Sequence, residues 1–137
     1  MSRALRLEYP GAWWHITSRG VDREDIFLDD CDRRRFLRIL ALAVPHFRWR
    51  LHAYVLMTNH YHLLVETVEP TLSRGMKTIG GDYAAWFNKR HRRVGHLFQG
   101  RFNAQLIDSD EYLLQVARYV VLNPVRAHMV ANALEWQ

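Results

Sequence analysis

Strand-like and helix-like hydrophobic patterns alternate along the chain, and this alternation is the strongest constraint on its fold. Apolar residues at alternate positions predict four strands, over residues 13–20, 49–57, 60–68 and 101–107. Apolar residues at helical spacing predict three helices, from Asp29 or Asp30 to about Val44, from Thr71 or Ser73 to about His91, and from Glu111 to about Leu122. The order β-α-β-β-α-β-α predicts an α+β fold, an antiparallel sheet with helices packed on it.

Two of the helix ends are predicted from prolines. Pro45 is expected to end the first helix near Val44, and the last helix is expected to stop before Asn123 and Pro124. The second and third strands are separated only by a short break at Thr58 and Asn59, so we expect them to form a hairpin.

The composition indicates one folded domain. The chain has 137 residues, of which 49% are hydrophobic and 12% aromatic, and this is too apolar for a disordered chain. No repeat and no Ser-, Gly- or Pro-rich linker divides it, so we expect a single domain over residues 1–137. Cys31 is the only cysteine, which excludes an intrachain disulfide and a multi-cysteine zinc site.

The sequence predicts neither a targeting segment nor a membrane span. Residues 1–14 lack the apolar stretch of a signal peptide, and no window approaches 18 purely apolar residues. We therefore expect a soluble, cytoplasmic protein with no membrane partner. Its formal net charge of +5 suits a polyanionic partner, although charge alone decides little.

Two histidines lie two residues apart in the third predicted strand. Alternate residues of a strand face the same side, so His60 and His62 project together, whereas Tyr61, Leu63 and Val65 face the helices on the other side. Two imidazoles on one exposed sheet face can both bind one divalent metal ion. The alternative is that both are polar residues on a solvated face, and two histidines alone do not complete a metal site.

The last predicted helix carries a second candidate cluster. Tyr119 and Asn123 are four residues apart and therefore share one helix face, with Tyr112 and Gln115 on roughly the same face. A carboxamide oxygen can bind a hard metal ion, and a tyrosine beside it can attack phosphorus. The alternative is an amphipathic helix whose tyrosines pack and whose Asn123 caps the C-terminus.

The third candidate is a basic segment between the second helix and the fourth strand. Basic residues interleaved with aromatic ones suit a groove that follows a nucleic-acid backbone and stacks its bases. The alternative is a solvated loop. The residues concerned are Lys89, Arg90, Arg92, Arg93, Phe98, Arg101 and Phe102.

In this order along the chain, the segments resemble the HUH single-tyrosine transposases of insertion sequences, and within them the REP-associated tyrosine transposases. The resemblance covers roughly residues 9–130, and its most specific parts are the paired histidines and the Tyr-x-x-x-Asn-Pro-Val segment. It implies a ferredoxin-like core of the HUH type. Thr58 departs from the proline that usually precedes Asn-His in the family, and we expect this to change only the turn.

The resemblance also implies roles for individual residues. His60, His62 and Asn123 match the family's metal ligands, for Mg²⁺ or Mn²⁺, and Tyr119 matches its nucleophile. The implied activity is cleavage and strand transfer of single-stranded DNA through a 5′-phosphotyrosine link, at hairpin-forming repeats, by a monomer or a homodimer.

Candidate DNA-binding residues follow from the same interpretation: Lys89, Arg90, Arg92, Arg93 and Arg101. Two alternatives without cleavage stay open at this point. One is a domesticated protein that binds single-stranded DNA, and the other is an RNA-binding ferredoxin-like module whose sheet aromatics stack bases.

Overall fold

The computed structural model describes residues 11–126, with side chains described up to residue 118. The strands in this part of the chain are β1 (Ala12–Arg19), β2 (Trp49–Leu56), β3 (His60–Thr67) and β4 (Asn103–Leu106). The helices are α1 (Asp30–His46), α2 (Leu72–Arg90) and α3 (Asp110–Arg126), with a 3₁₀ turn at Val21–Arg23. This order confirms the predicted α+β class. None of these described helices has the length and apolar character needed to cross a membrane.

The strands form one antiparallel sheet in the order β2-β3-β1-β4. β1 pairs with β3 along its whole length, and β2 and β3 form the predicted hairpin. With α1 connecting β1 to β2 and α2 connecting β3 to β4, this is the predicted ferredoxin-like arrangement.

The alternation of side chains along the strands divides the apolar residues between the two faces of the sheet. One face packs against α1 and α2 and carries the main core, which includes Tyr61, Leu63 and Val65 as predicted. The other face packs against α3, where Val116 meets Val55 and a neighbouring leucine of β3. His60 and His62 therefore belong to the face that α3 partly covers.

A buried carboxylate ties the start of α1 to the end of α2. Asp29 caps α1 by accepting the backbone N–H of Asp32 at 3.0 Å, as the sequence predicts. Asp32 is itself fully buried and accepts hydrogen bonds from the N–H of Leu28 at 2.9 Å, from Arg90 at 2.6 Å and from His91 at 2.9 Å. This network joins the two helices that cover the main core.

Two helices extend past the prolines that were expected to end them. α1 runs to His46 rather than Val44, with Pro45 in its last turn, and the N–H of Phe47 still reaches the carbonyl of Ala43 at 2.9 Å. α3 runs to Arg126 rather than about Leu122 and contains Pro124. Both predicted ends were wrong because the fixed φ of proline is itself helical, so a helix can continue through a proline, although it loses one N–H hydrogen bond and crowds the preceding turn.

β4 is shorter than the strand predicted over residues 101–107. It begins at Asn103, opposite Thr17 of β1, whereas the preceding segment leaves the sheet after a backbone bridge between Gly20 and Phe98. Gly100, at φ 65°, supplies a left-handed turn that glycine adopts at little cost. The segment 99–102 therefore runs along the edge of the sheet rather than within it.

Candidate functional site

His60 and His62 lie at the start of β3, side by side as the sequence predicts. β1 runs antiparallel next to them and pairs Arg19 with His60 and Thr17 with His62. The centroids of the two imidazole rings are 5.1 Å apart, and the ring planes are nearly perpendicular, at 79°. The two imidazoles are therefore direct neighbours on one face of the sheet.

The expectation that both histidines face outward is wrong for His62. His60 is half-buried, but only 7% of His62 is exposed, because β3 is an interior strand and α3 packs on the same face of the sheet. Burial, with contributions from His60 and His15, lowers the pKa of His62 to about 3. The pKa of His60 is also lowered, by burial and by the charge of Arg19. Both imidazoles are therefore neutral at physiological pH, and neutral imidazole is the form that binds metal ions.

Hydrogen bonds at Nδ1 orient both rings. Nδ1 of His60 lies 2.8 Å from Oδ1 of Asn59, and since a carboxamide oxygen only accepts, the proton of His60 sits on Nδ1 and its lone pair on Nε2. Nδ1 of His62 lies 3.0 Å from Nε2 of His15, a residue of β1. Sequence reasoning misses His15, because its proximity to His62 depends on the pairing of β1 with β3.

A cavity of about 570 Å³ opens beside the two histidines. Three arginines line it: Arg19 at the end of β1, Arg23 in the 3₁₀ turn and Arg101 in the segment before β4. None of the described residues lining this cavity is acidic. Three guanidinium groups beside two neutral imidazoles make a site for an anion of the phosphate type.

Of the three arginines that line this cavity, only Arg101 is predicted from the sequence as a DNA-binding residue, whereas Arg19 and Arg23 are not. Arg19 is paired directly with His60 in the β1–β3 register. Arg23 lies in the 3₁₀ turn that follows β1, where Asp22 and Arg23 both have positive φ, at 52° and 60°. No local sequence pattern identifies either residue, because the position of Arg19 depends on strand pairing and that of Arg23 on the path of the turn.

The basic run at the end of α2 has a structural role in part. Arg90 donates to Asp29 at 2.8 Å and to Asp32 at 2.6 Å, and Arg93 donates to Glu24 at 2.8 Å. Two other members of the run, Lys89 and Arg92, are exposed. The run therefore does not act as four equivalent cations.

The three tyrosines that compete for the role of nucleophile lie in different environments. Tyr61 is buried in the main core, and burial raises the pKa of its phenol. Tyr112 donates a hydrogen bond to Gln105, and burial together with the nearby Asp108 raises the pKa of Tyr112. Tyr119 and Asn123 both lie in α3, one turn apart along its backbone, and their side chains are outside the described part of the structure.

Among the described side chains, no group of three or more His, Cys, Asp or Glu residues lies close enough together to hold a metal ion. Within the described part of the chain, His60 and His62 are therefore a pair of imidazoles without a third ligand of these types. The predicted third ligand, Asn123, is an amide and belongs to the part of α3 whose side chains are not described.

Two solved structures share this fold. One is the structure of the REP-associated tyrosine transposase bound to a REP hairpin, with a TM-score of 0.76 at 17% identity over 99% of this chain and 80% of that chain. The other is a candidate transposase from Deinococcus radiodurans R1, with a TM-score of 0.59 at 17% identity over 88% of this chain and 95% of that chain. At this level of identity the likeness concerns the fold alone. No curated protein sequence matches the chain.

The sequence itself matches a known family over most of its length. The family model described as "Transposase IS200 like" matches residues 9–123, a range that includes the whole sheet, the histidine pair and most of α3. Both the predicted resemblance and the fold agree with this match. The chain therefore belongs to the family of IS200-like transposases and has the fold of the REP-associated tyrosine transposase.

Proposed function

We propose that this protein cleaves and rejoins single-stranded DNA in a metal-dependent reaction that passes through a 5′-phosphotyrosine intermediate. The observation that carries the proposal is the position of two neutral imidazoles, His60 and His62, beside a cavity lined by three arginines. Both features suit phosphoryl transfer, because the arginines can hold the phosphate and a divalent ion on the imidazoles can offset its developing charge. Membership in a transposase family supports DNA as the substrate.

The donor set fits a divalent ion that keeps open coordination positions. His60 and His62 would supply two nitrogens, and we propose Asn123 as the oxygen donor that completes the set. Mg²⁺ binds mainly oxygen ligands, so two imidazoles favour Mn²⁺ over Mg²⁺. When bound, the ion would polarise the scissile phosphate and offset part of its negative charge.

The chain's own residues account for the covalent step. The phenolic oxygen of Tyr119 attacks phosphorus in line, and the bond from phosphorus to the 3′-oxygen breaks. The phenol loses a proton and the departing oxygen gains one, so the products are a free 3′-hydroxyl and a 5′-phosphotyrosine. A 3′-hydroxyl can attack this link and restore Tyr119. No nucleotide cofactor is needed, because a phosphodiester is kept at every stage.

The arginines of the cavity are proposed to hold the DNA backbone. Arg19, Arg23 and Arg101 line the cavity beside His60 and His62, and we propose that they contact the phosphates next to the scissile bond and that Lys89 and Arg92 extend the contact. The solved REP-associated transposase with this fold is bound to a REP hairpin, which supports hairpin-containing single-stranded DNA as the partner. We propose that the active unit is a monomer or a homodimer.

The metal site is tested first by changing His60 to Ala. Loss of one ligand is expected to weaken Mn²⁺ binding by more than about 100-fold, measured by isothermal titration calorimetry, since even indirect partners of a metal contribute 10- to 100-fold. The same change is expected to remove metal-dependent cleavage of single-stranded hairpin oligonucleotides. His60 is preferred to His62 because it is half-buried, so its loss disturbs the fold less.

A matched control is His52→Ala, on the neighbouring strand β2, where the imidazole stacks on Trp13 and bonds to Glu66 away from the site. This variant is expected to bind Mn²⁺ like the wild type. Equal affinities in all three proteins would remove the metal site from the proposal. A protein that binds DNA without any metal-dependent cleavage would instead be a domesticated binding module.

The phosphate contacts are tested by the salt dependence of DNA binding. If Arg19, Arg23 and Arg101 each neutralise one phosphate, replacing all three with Ala is expected to reduce the slope of log K against log salt by about 2 on single strands. Affinity falls for every sequence tested, because phosphate contacts carry no base information.

The control is a triple variant that removes the same number of positive charges elsewhere on the surface. Arg34, Arg38 and Arg74 are exposed on α1 and α2, the helices on the opposite face of the sheet. Their triple replacement with Ala is expected to leave the slope close to that of the wild type. If both triple variants lower the slope equally, the arginines of the cavity have no special role in binding.

A further inference from the structure

A second cavity lies on the opposite side of the sheet edge from His60 and His62. Its volume is about 610 Å³, and it is bounded by α2 and by the segment that precedes β4. Tyr61 lines it, and Tyr61 points away from the two histidines because side chains alternate along β3. This cavity is therefore separate from the arginine-lined cavity described above, although the two are neighbours.

Two consecutive glycines of α2 line this cavity. A Cβ at Gly80 would come within 3.9 Å of the Phe98 ring, and one at Gly81 would meet no atom within 4 Å. Neither glycine has a positive φ, so the helix does not need glycine here for its backbone. The space in front of Phe98 therefore accepts a methyl group at Gly80, whereas a side chain of several carbons there would extend into the cavity.

The two cavities meet at the same stretch of the sheet edge. Ser18 and Arg101 line both of them. Arg101 belongs to the segment that leaves the sheet between the Gly20–Phe98 bridge and the start of β4 at Asn103. A DNA strand whose phosphate lies beside Arg101 can thus place a neighbouring base on the other side of this edge.

The chemistry of the second cavity suits a nucleobase. Phe98 and Phe102 supply half-buried aromatic rings, and Lys77 and Arg101 supply positive charge at the rim. No acidic side chain is found among the described residues that line it. Aromatic rings beside cations are the usual means of binding a single-stranded base together with its phosphates.

We propose that this cavity holds one unpaired base of the strand whose backbone passes through the arginine-lined cavity. The inference rests on the proposed function, because it takes single-stranded DNA as the ligand. It adds a base-binding subsite formed by Gly80, Gly81 and Phe98. The subsite positions the strand by stacking and does not discriminate among the four bases.

The test is an abasic scan with a hairpin oligonucleotide that carries single-stranded flanks. Binding is measured without a divalent metal, so that cleavage does not interfere, and each flanking nucleotide is replaced in turn by an abasic one. The wild type is expected to lose about 5- to 100-fold in affinity at one position or two adjacent ones, which is the range for loss of one stacked base. Other positions are expected to change little.

Variants of the protein then show whether the nucleotide whose base is needed for binding occupies this cavity. Gly80→Leu fills the space in front of Phe98, and Phe98→Leu removes the ring but keeps an apolar side chain. Either variant is expected to bind the intact strand as weakly as the wild type binds the sensitive abasic strand, with no further loss on the abasic strand. Ala85→Leu is the matched control, since it adds the same side chain at an exposed position of α2 that lines neither cavity, and it is expected to behave like the wild type.

Different failures have different meanings. A flat abasic profile in a wild type that binds and cleaves single strands would overturn the subsite and leave the proposed function intact. A sensitive position that persists in both Gly80→Leu and Phe98→Leu would place the base elsewhere and would also overturn the subsite. Absence of single-strand binding would overturn both proposals.

Discussion

Tyr119→Phe is expected to eliminate the covalent protein–DNA adduct while both Mn²⁺ binding and DNA binding are retained. Phenylalanine keeps the ring and removes only the oxygen that attacks phosphorus. Loss of an enzyme's nucleophile typically lowers the rate by about 10⁴-fold or more. The measurement is a denaturing gel with labelled single-stranded hairpin DNA, together with calorimetric titration of Mn²⁺.

Tyr112→Phe is the matched control, since Tyr112 lies seven residues before Tyr119 in α3. Its phenol bonds to Gln105, and its pKa is raised rather than lowered, so its removal is expected to leave adduct formation largely unchanged. Tyr61 is a poor alternative, because it is buried and burial raises the pKa of its phenol. Labelled DNA that stays attached to the Tyr119→Phe protein would refute the assignment.

Asp32→Ala is expected to destabilise the fold by about 1–3 kcal/mol, the usual cost of leaving donors without their buried acceptor. Asp32 is fully buried, and its removal leaves the N–H of Leu28 and the side chains of Arg90 and His91 without this acceptor. Urea denaturation followed by circular dichroism measures the change. The effect is large because the network joins α1 to α2 above the main core.

Asp30→Ala is the matched control for Asp32→Ala, since it removes one carboxylate from the same turn of α1. Asp30 is 82% exposed at its side chain and pairs only across one turn, with Arg33 at 3.3 Å. An exposed pair of this kind contributes about 0–1 kcal/mol, so little change is expected. Similar denaturation midpoints for the two variants would mean that the Asp32 network does not hold the helices together.

Several features of the fold follow from local patterns alone. Alternating apolar residues identify the strands, and helical spacing with capping residues identifies the helices, so the element order and the α+β class are correctly predicted. The same alternation correctly places His60 and His62 on one face and Tyr61 on the other. These predictions succeed because side-chain direction along a strand depends only on the strand's own geometry.

Other predictions were wrong, and some features of the structure correspond to no local pattern in the sequence. α1 and α3 pass through Pro45 and Pro124, because the φ of proline is itself compatible with a helix. The burial of His62 depends on α3 packing over β3, which no local pattern records. Arg90, a predicted DNA-binding residue, also forms ion pairs with Asp29 and Asp32, which only the packing of α1 against α2 reveals.

The sequence by itself determined the elements of this protein, the histidine pair and the family to which the chain belongs, because each depends on residues close together in the chain or on their order. Only the tertiary structure decided what surrounds the pair. The register of β1 against β3 brings Arg19 opposite His60 and His15 within hydrogen-bonding distance of His62. These partners are 41 and 47 residues apart in sequence, and contacts over such separations are set by packing of the whole sheet rather than by any local preference.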